Sequence, residues 1–158
     1  LALLVGAGLG FFGATVYNDK LQIRRRRRER DDESVTLACA LYAELNQMRK
    51  DAEFVQALCK HRQEEGRNIE SDEVVWFDFH DVNYQENIPR LGLLGSQCAN
   101  LVVQVYALSA KVNKFVKAAG GGAPEWAMPE LGTILEAIDY ALSALRDFAN
   151  ERRPGTIE

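Results

Sequence analysis

The hydrophobic pattern divides the chain into an apolar start and three amphipathic stretches. Residues 1–17, LALLVGAGLGFFGATVY, contain no side chain that is charged at neutral pH. From residue 34 onward, apolar side chains recur mostly every third or fourth position, which is typical of one face of an α-helix. The pattern therefore predicts three long helices. Their apolar stripes are Ala38, Leu41, Leu45, Met48, Ala52, Val55 and Cys59; Cys98, Leu101, Val102, Val105, Leu108, Val112, Phe115 and Val116; and Leu131, Ile134, Leu135, Ile138, Leu142, Leu145 and Phe148.

Local signals suggest where these helices begin and end. Ser34 is a candidate N-cap for the first helix, which would end near Gly66. Alternatively, that helix runs unbroken from the apolar start, because Arg, Glu and Asp do not stop a helix. Ser96 is an N-cap candidate for the second helix, and Pro129 is well placed at the start of the third. Residues 67–83 carry no helical stripe and predict a short strand or, more simply, a loop with apolar anchors such as Phe79.

These elements predict an all-α protein in which an N-terminal transmembrane helix precedes a small antiparallel helical bundle. The bundle would hold three long helices and a short helical corner. The expected organisation is a transmembrane helix at 1–18, a charged juxtamembrane segment at 19–33, a cytoplasmic bundle at 34–152 and a disordered tail at 153–158.

The apolar start predicts a retained membrane span. Seventeen residues form a helix of about 25 Å, near the lower limit for crossing a hydrocarbon core of about 30 Å. A secretory signal peptide is the first alternative, but it needs a basic region before the apolar core and a small-residue cleavage site after it. Here the basic cluster follows instead. A buried helix of a soluble protein is the second alternative, but no apolar segment follows directly to cover it.

Charge is distributed very unevenly behind a net value of −4. Residues 19–30 hold seven basic and two acidic side chains, whereas residues 31–158 hold 12 basic and 21 acidic ones. Since basic flanks stay on the cytoplasmic side, the pattern predicts a single-pass protein with an outward-facing N-terminus and a cytoplasmic C-terminal domain. Binding to anionic lipids explains the basic cluster better than nucleic-acid binding does, because it adjoins a membrane span. We call this cluster the arginine collar: Arg24, Arg25, Arg26, Arg27, Arg28 and Arg30.

Small residues recur every four positions within the predicted span. They are Ala2, Gly6, Gly10 and Ala14, and the two glycines form a GxxxG motif. Small side chains on one face allow two membrane helices to approach closely. The pattern predicts self-association or packing on a membrane-protein partner, although glycine is also simply common in membrane helices.

The middle of the chain carries a polar and apolar motif. It comprises Tyr84, Asn87, Arg90, Leu91, Gly92, Leu93 and Leu94, followed by Val102, Val103 and Tyr106. The leucines predict a hydrophobic wedge between helices, while the glycines allow unusual backbone angles. A binding surface is the alternative. The motif resembles the Y-x-x-N-x-x-(K/R)-L-G-L-L segment of small uncharacterised bacterial single-pass membrane proteins with a cytoplasmic helical domain. That resemblance implies a helical fold and a location in a bacterial inner membrane, and it implies no activity.

Candidate chemistry is sparse. Asp78, His80 and Asp81 could supply part of a metal site, but no second group of ligands has matching spacing. Cys39, Cys59 and Cys98 lie on or beside apolar stripes, which predicts reduced, buried thiols. No nucleophile motif or phosphate-binding loop occurs. We expect a membrane-anchored interaction or scaffold module without a cofactor or catalytic residues. The alternatives are a metal-binding sensor that uses loop 78–81, and an accessory subunit of a membrane complex.

Overall fold

The structure is a computed structural model in which every described element is helical. It describes the backbone of residues 2–64, 79, 81–118 and 127–158, and the side chains of residues 18–57, 60, 61, 64, 79, 81–114 and 129–158. The elements are α1 (Ala2–Glu64), α2 (Val82–Asn87), a 3-10 helix (Ile88–Leu94), α3 (Gly95–Ala118) and α4 (Ala127–Arg152). An all-α fold is thus confirmed over these ranges, which contain no strand.

Helix α1 is continuous through the charged segment. Its 63 residues give a length of about 95 Å at about 1.5 Å per residue. Ser34 therefore lies inside the helix and is not its N-cap. Its hydroxyl donates to the Asp31 carbonyl oxygen at 2.8 Å, a bond typical of Ser within helices. The sequence predicts either a start at Ser34 or an unbroken helix from the apolar segment. The unbroken helix is correct, because no residue between 19 and 33 disfavours a helical backbone.

One hydrophobic core joins α1, the 3-10 helix, α3 and α4. From Ser34 onward, the inward positions of α1 are buried, whereas residues 22–33 are exposed. The predicted stripes supply most of the core, and Leu41, Leu45, Val102, Ile134 and Leu145 are fully buried. We call the part of the chain around this core the helical body. Burial of such stripes provides the main driving force for its folding.

Contacts between α4 and α1 fix their relative direction. Arg153, just beyond α4, pairs with Asp32 near the start of the helical body. Farther along, Asp139 of α4 lies 3.0 Å from Nε of Arg49. Residue numbers thus rise along α4 while they fall along α1, so the two helices run in opposite directions. Helix α3 returns alongside α4, and Lys111 lies 3.3 Å from Glu130.

The connection before α3 folds as a helical corner. Leu91 and Leu94 are buried, and Leu93 packs partly against the core, which agrees with the predicted wedge. Gly95 ends the 3-10 helix with φ 75° and ψ 161°, a conformation that is almost restricted to glycine. Gly92 does not have a positive φ, so the expectation of an unusual backbone there is wrong.

The C-terminal residues pack against α4, contrary to the predicted disordered tail. Ile157 is 8% exposed. Its carbonyl oxygen accepts a hydrogen bond from the Asn150 side chain at 2.9 Å. The Asn150 Oδ1 in turn accepts from the amides of Thr156 and Ile157. One apolar side chain and one bridging amide therefore hold the tail, and neither feature was visible as a periodic pattern.

One described stretch, Val82–Lys114, is long and apolar enough to cross a membrane by length and composition. Gly95 interrupts it, and Val102, Val105 and Val112 point into the shared core. Part of its apolar character therefore belongs to the core, since 33% of its apolar window is buried in the fold. The backbone of the predicted N-terminal span is helical from Ala2, but its side chains lie outside the described residues, so that span stays a prediction.

Candidate functional site

The arginine collar surrounds a single exposed helix. All six arginines are exposed, and no ion pair found among the described residues involves them. Successive residues turn by about 100° around an α-helix, so the collar places positive charge on every side of α1 within about 9 Å of its length. A helix lying flat on a membrane carries its basic residues on one face. The collar does not have this one-sided distribution.

Two ion pairs connect α1 to the corner and to the C-terminal tail at the end of the helical body nearest the collar. Arg90 donates through Nε and Nη2 to one carboxylate oxygen of Glu33, at 3.0 and 2.6 Å. Arg153 pairs with Asp32 at 2.5 Å. These acids follow the collar directly, yet they bond to arginines of the corner and the tail. All four side chains are about half exposed, so each pair adds little stability and mainly determines position.

The polar residues of the motif bond to neighbouring groups of the fold. The Asn87 side chain donates to the Asn83 carbonyl oxygen at 2.8 Å and accepts from Nη1 of Arg90 at 3.0 Å. Tyr84 stacks on Tyr106 with ring centroids 3.9 Å apart and planes 11° apart. Asn87 and Arg90 thus link the corner to α1 through Glu33, and Tyr84 links it to α3. The geometry favours a structural corner over a binding surface.

Glu44 organises this corner, although its role is not evident in the sequence. Its Oε2 accepts from the Asn83 amide at 2.7 Å, and its Oε1 accepts from the Tyr84 amide at 3.2 Å and from the Tyr106 hydroxyl. Asp81 occupies the N-cap position of α2 but makes no capping hydrogen bond. A carboxylate from a distant helix therefore satisfies the two amides that an N-cap usually serves. The one indication in the sequence is that Glu44 lies near the buried face of α1, three residues after Leu41 and four before Met48.

Two titratable groups in the helical body are strongly affected by burial. Burial raises the pKa of the Tyr106 hydroxyl, and the hydrogen bond to Glu44 and that residue's charge raise it further. Burial also raises the pKa of the Cys98 thiol to about 11, and the charge of Arg152 opposes the shift. Both groups are therefore protonated at neutral pH. A high thiol pKa is the opposite of what a nucleophilic cysteine requires.

Other predicted site residues fall partly outside the described set. Cys98 is buried and Cys39 is half-buried, both as free thiols, whereas the side chain of Cys59 lies outside the described residues. Asp78 and His80 also lie outside, while Asp81 accepts a hydrogen bond from Gln85 at 2.8 Å. Among the residues described, no three metal-ligating side chains come together. The helix-packing face of Ala2, Gly6, Gly10 and Ala14 has only a described backbone.

A shallow cavity of about 360 Å³ opens at the collar end of the helical body. Its lining combines α1, the 3-10 helix and the end of α4, and consists of Arg30, Asp31, Ser34, Gly92, Leu93 and Arg152. The collar and this cavity are the main concentration of positive charge without recorded acidic partners in the described part of the chain. We take them as the candidate functional site.

Comparison with protein-family models, curated proteins and solved structures finds no match to this chain. The function must therefore be argued from the geometry of the chain itself.

Proposed function

We propose that this chain is a single-pass membrane protein whose helical body is a cytoplasmic interaction or scaffold module. The carrying observation is the arginine collar, which encircles a helix that continues without a break from the apolar segment into the core. A continuous helix transmits the position of the membrane segment to the helical body. The collar would hold the boundary between them at anionic lipid head groups, where each basic side chain contributes on the order of 1 kcal/mol.

The arrangement within the helical body supports the bundle part of this proposal. Helices α1 and α4 run in opposite directions over a common core, and α3 returns beside α4. We propose that these three helices and the helical corner form the predicted bundle, in which α4 is antiparallel to both α1 and α3. The corner's polar residues make internal bonds, so an interaction surface would lie on the remaining faces. We also propose an inner membrane as the location, because the corner motif resembles a segment of small bacterial membrane proteins.

Fractionation of the full chain tests the anchor. The full chain should remain with membranes after a high-salt wash, because an apolar span resists salt while purely electrostatic binding does not. A fragment of residues 31–158 contains every described core residue and should be soluble. Recovery of the full chain in the soluble fraction would overturn the proposal.

Protease protection in sealed vesicles tests the orientation. Replacement of Arg24, Arg25, Arg26 and Arg27 by Gln should produce a fraction of chains with the opposite orientation, because the charge bias that sets orientation is reduced. Gln at Lys114 and Arg146, exposed cations of the helical body, is the control and should leave orientation unchanged. Unaltered orientation in the collar variant would count against the collar's role.

We further propose that the small-residue face contacts another membrane helix, in a homo-oligomer or with a partner protein. The helical backbone from Ala2 supports this, because residues four apart lie near one another on a helix. Gly6→Ile and Gly10→Ile should abolish crosslinked species in native membranes, whereas Leu3→Ile and Leu4→Ile should not. Crosslinked species of unchanged size in the glycine variants would refute this contact.

A further inference from the structure

The cavity at the collar end has the features of an anion site. It is formed where three elements meet: α1 contributes Arg30, Asp31 and Ser34, the 3-10 helix contributes Gly92 and Leu93, and α4 contributes Arg152. Two arginines from two different helices therefore line one cavity. Its volume is about 360 Å³, whereas a water molecule occupies roughly 30 Å³ in the liquid. The cavity is therefore large enough for a phosphate group.

Contacts within α4 hold Arg152 in place. Its Cζ lies 3.6 Å from the centre of the Phe148 ring, and Nη1 donates to the Phe148 carbonyl oxygen at 3.2 Å. A guanidinium has five N–H donors in a fixed plane, so most remain for a ligand. Positioning a donor before binding reduces the entropy lost when the ligand binds.

Neighbouring acids leave the cavity with a positive balance. Asp32 and Glu33 already pair with Arg153 and Arg90, and Asp31 is the single acid in the lining. Two arginines and one aspartate give the lining a net charge of +1. Ser34 is buried, and its hydroxyl bonds to the Asp31 carbonyl oxygen, so that hydroxyl is committed to the helix.

We propose that this cavity binds a phosphate group between Arg30 and Arg152. Arginine pairs well with phosphate because two parallel N–H donors match two oxygens. The phosphate could belong to a free phosphorylated compound or to an anionic lipid head group, and only the lipid case rests on the proposed membrane function. Arg30 lies about 9 Å along the helix from Arg24, and the head-group layer is about 5–7 Å deep, so lipid at the collar is within reach of its side chain.

Titration with inorganic phosphate tests the free-ligand case. The full chain, in neutral detergent micelles, is titrated against chloride of equal ionic strength, and the amide resonances of the 3-10 helix are followed. Arg30→Gln and Arg152→Gln should each weaken binding at least about tenfold, as expected for loss of a charge-assisted hydrogen bond. Asp31→Asn should strengthen it. The matched controls are Lys50→Gln, also on α1, and Arg146→Gln, also on α4, because both are exposed cations that belong neither to the collar nor to the cavity lining.

Lipid discs provide the second arm of the experiment. Hydrogen exchange of residues 90–95 is compared between discs of neutral phosphatidylcholine and discs that also contain phosphatidylglycerol. Slower exchange in anionic discs that is lost in Arg30→Gln and Arg152→Gln, but kept in both controls, identifies a lipid phosphate. Arg30 makes no recorded contact within the fold, so its variant separates loss of binding from loss of folding.

The outcomes separate the sources and the proposal's failure. A saturable, cavity-dependent response to inorganic phosphate supports a free phosphate ligand, even if the chain proves not to be membrane-bound. A response only to anionic discs supports a lipid head group. No response in either arm, or equal loss in cavity and control variants, overturns the phosphate site.

Discussion

Replacement of Glu44 by glutamine should loosen the corner without emptying any space. Glutamine has nearly the same shape as glutamate but no charge, and one of its two oxygens becomes a donor. In the native chain, the carboxylate accepts from the amides of Asn83 and Tyr84 and from the hydroxyl of Tyr106. Tyr106 is only 4% exposed. The variant therefore leaves three donors competing for one neutral oxygen.

The expected loss of stability is about 2 kcal/mol. Hydrogen bonds to charged groups contribute roughly 1.5–3 kcal/mol each and neutral ones roughly 0.5–1.5 kcal/mol, so three weakened bonds give an upper value of about 3–4 kcal/mol. Glu44 is only partly buried, and solvent reaches the amides of α2, which reduces that value. Tyr106→Phe should cost about 1 kcal/mol, and the double variant should cost less than the sum of the two, because both remove the same bond.

Urea unfolding of the full chain in neutral micelles, followed by circular dichroism, measures the loss. Hydrogen exchange of the Asn83 and Tyr84 amides reports on the corner alone and should accelerate in Glu44→Gln. The control is Glu53→Gln, on the same helix, where the 3.3 Å pair with Arg49 is half exposed and contributes at most about 0.5 kcal/mol. Equal urea midpoints for Glu44→Gln and the native chain, with unchanged amide exchange, would refute the capping role.

Three further predictions concern backbone, protonation and tail. Gly95→Ala should lose about 1–3 kcal/mol in urea unfolding because of its backbone angles, whereas Gly92→Ala, with open space and no positive φ, should lose little; equal effects would contradict this. The contribution of the Cys98 thiol to the free energy of unfolding is fully present below pH 9.0 and is lost as pH rises towards about 11, because the folded chain favours the protonated thiol. Over that interval the native chain should lose up to about 3 kcal/mol more stability than Cys98→Val. Parallel pH profiles of the two chains would disprove this. Ile157→Ala should lose about 2 kcal/mol and expose the tail to carboxypeptidase, whereas an unchanged urea midpoint and digestion rate would indicate a loose tail.

The periodic spacing of apolar residues predicts most of the helices and their buried faces. The stripes of α3 and α4 identify Val102, Val105, Ile134 and Leu145 as inward positions, and all four are buried. Periodicity succeeds because burial of one face and helical spacing are properties of neighbouring residues. Periodicity does not decide where α1 begins, because its charged segment has neither an apolar stripe nor a stop signal.

Partnerships across distant positions were not predictable. Glu44 lies 39 residues from Asn83 and 62 from Tyr106, and Arg153 lies 121 residues from Asp32. Each partnership depends on how the helices pack, which a one-dimensional pattern does not contain. The candidate cavity combines both kinds of residue. Arg30 belongs to the collar that the sequence predicts, whereas nothing in the sequence distinguishes Arg152, which reaches the cavity only because α4 packs against α1.

The placement of the ion pairs explains how an acidic domain can follow a basic collar without cancelling its charge. Acidic side chains of the helical body extend about 45 Å along α1 from the collar end, and charges farther than about 8 Å are largely screened at physiological ionic strength. Along α1 beyond Arg30, only the acids directly after the collar are close enough to weaken its attraction for anionic lipid. Asp32 and Glu33 are paired with Arg153 and Arg90, so Asp31 is the only one of the three acids directly after the collar without an ion pair among the described residues. Breaking these pairs, by Gln at Arg90 and Arg153, should therefore weaken the collar's preference for anionic over neutral lipid although neither arginine belongs to the collar, and lipid copurification that is unchanged from the native chain would refute the argument.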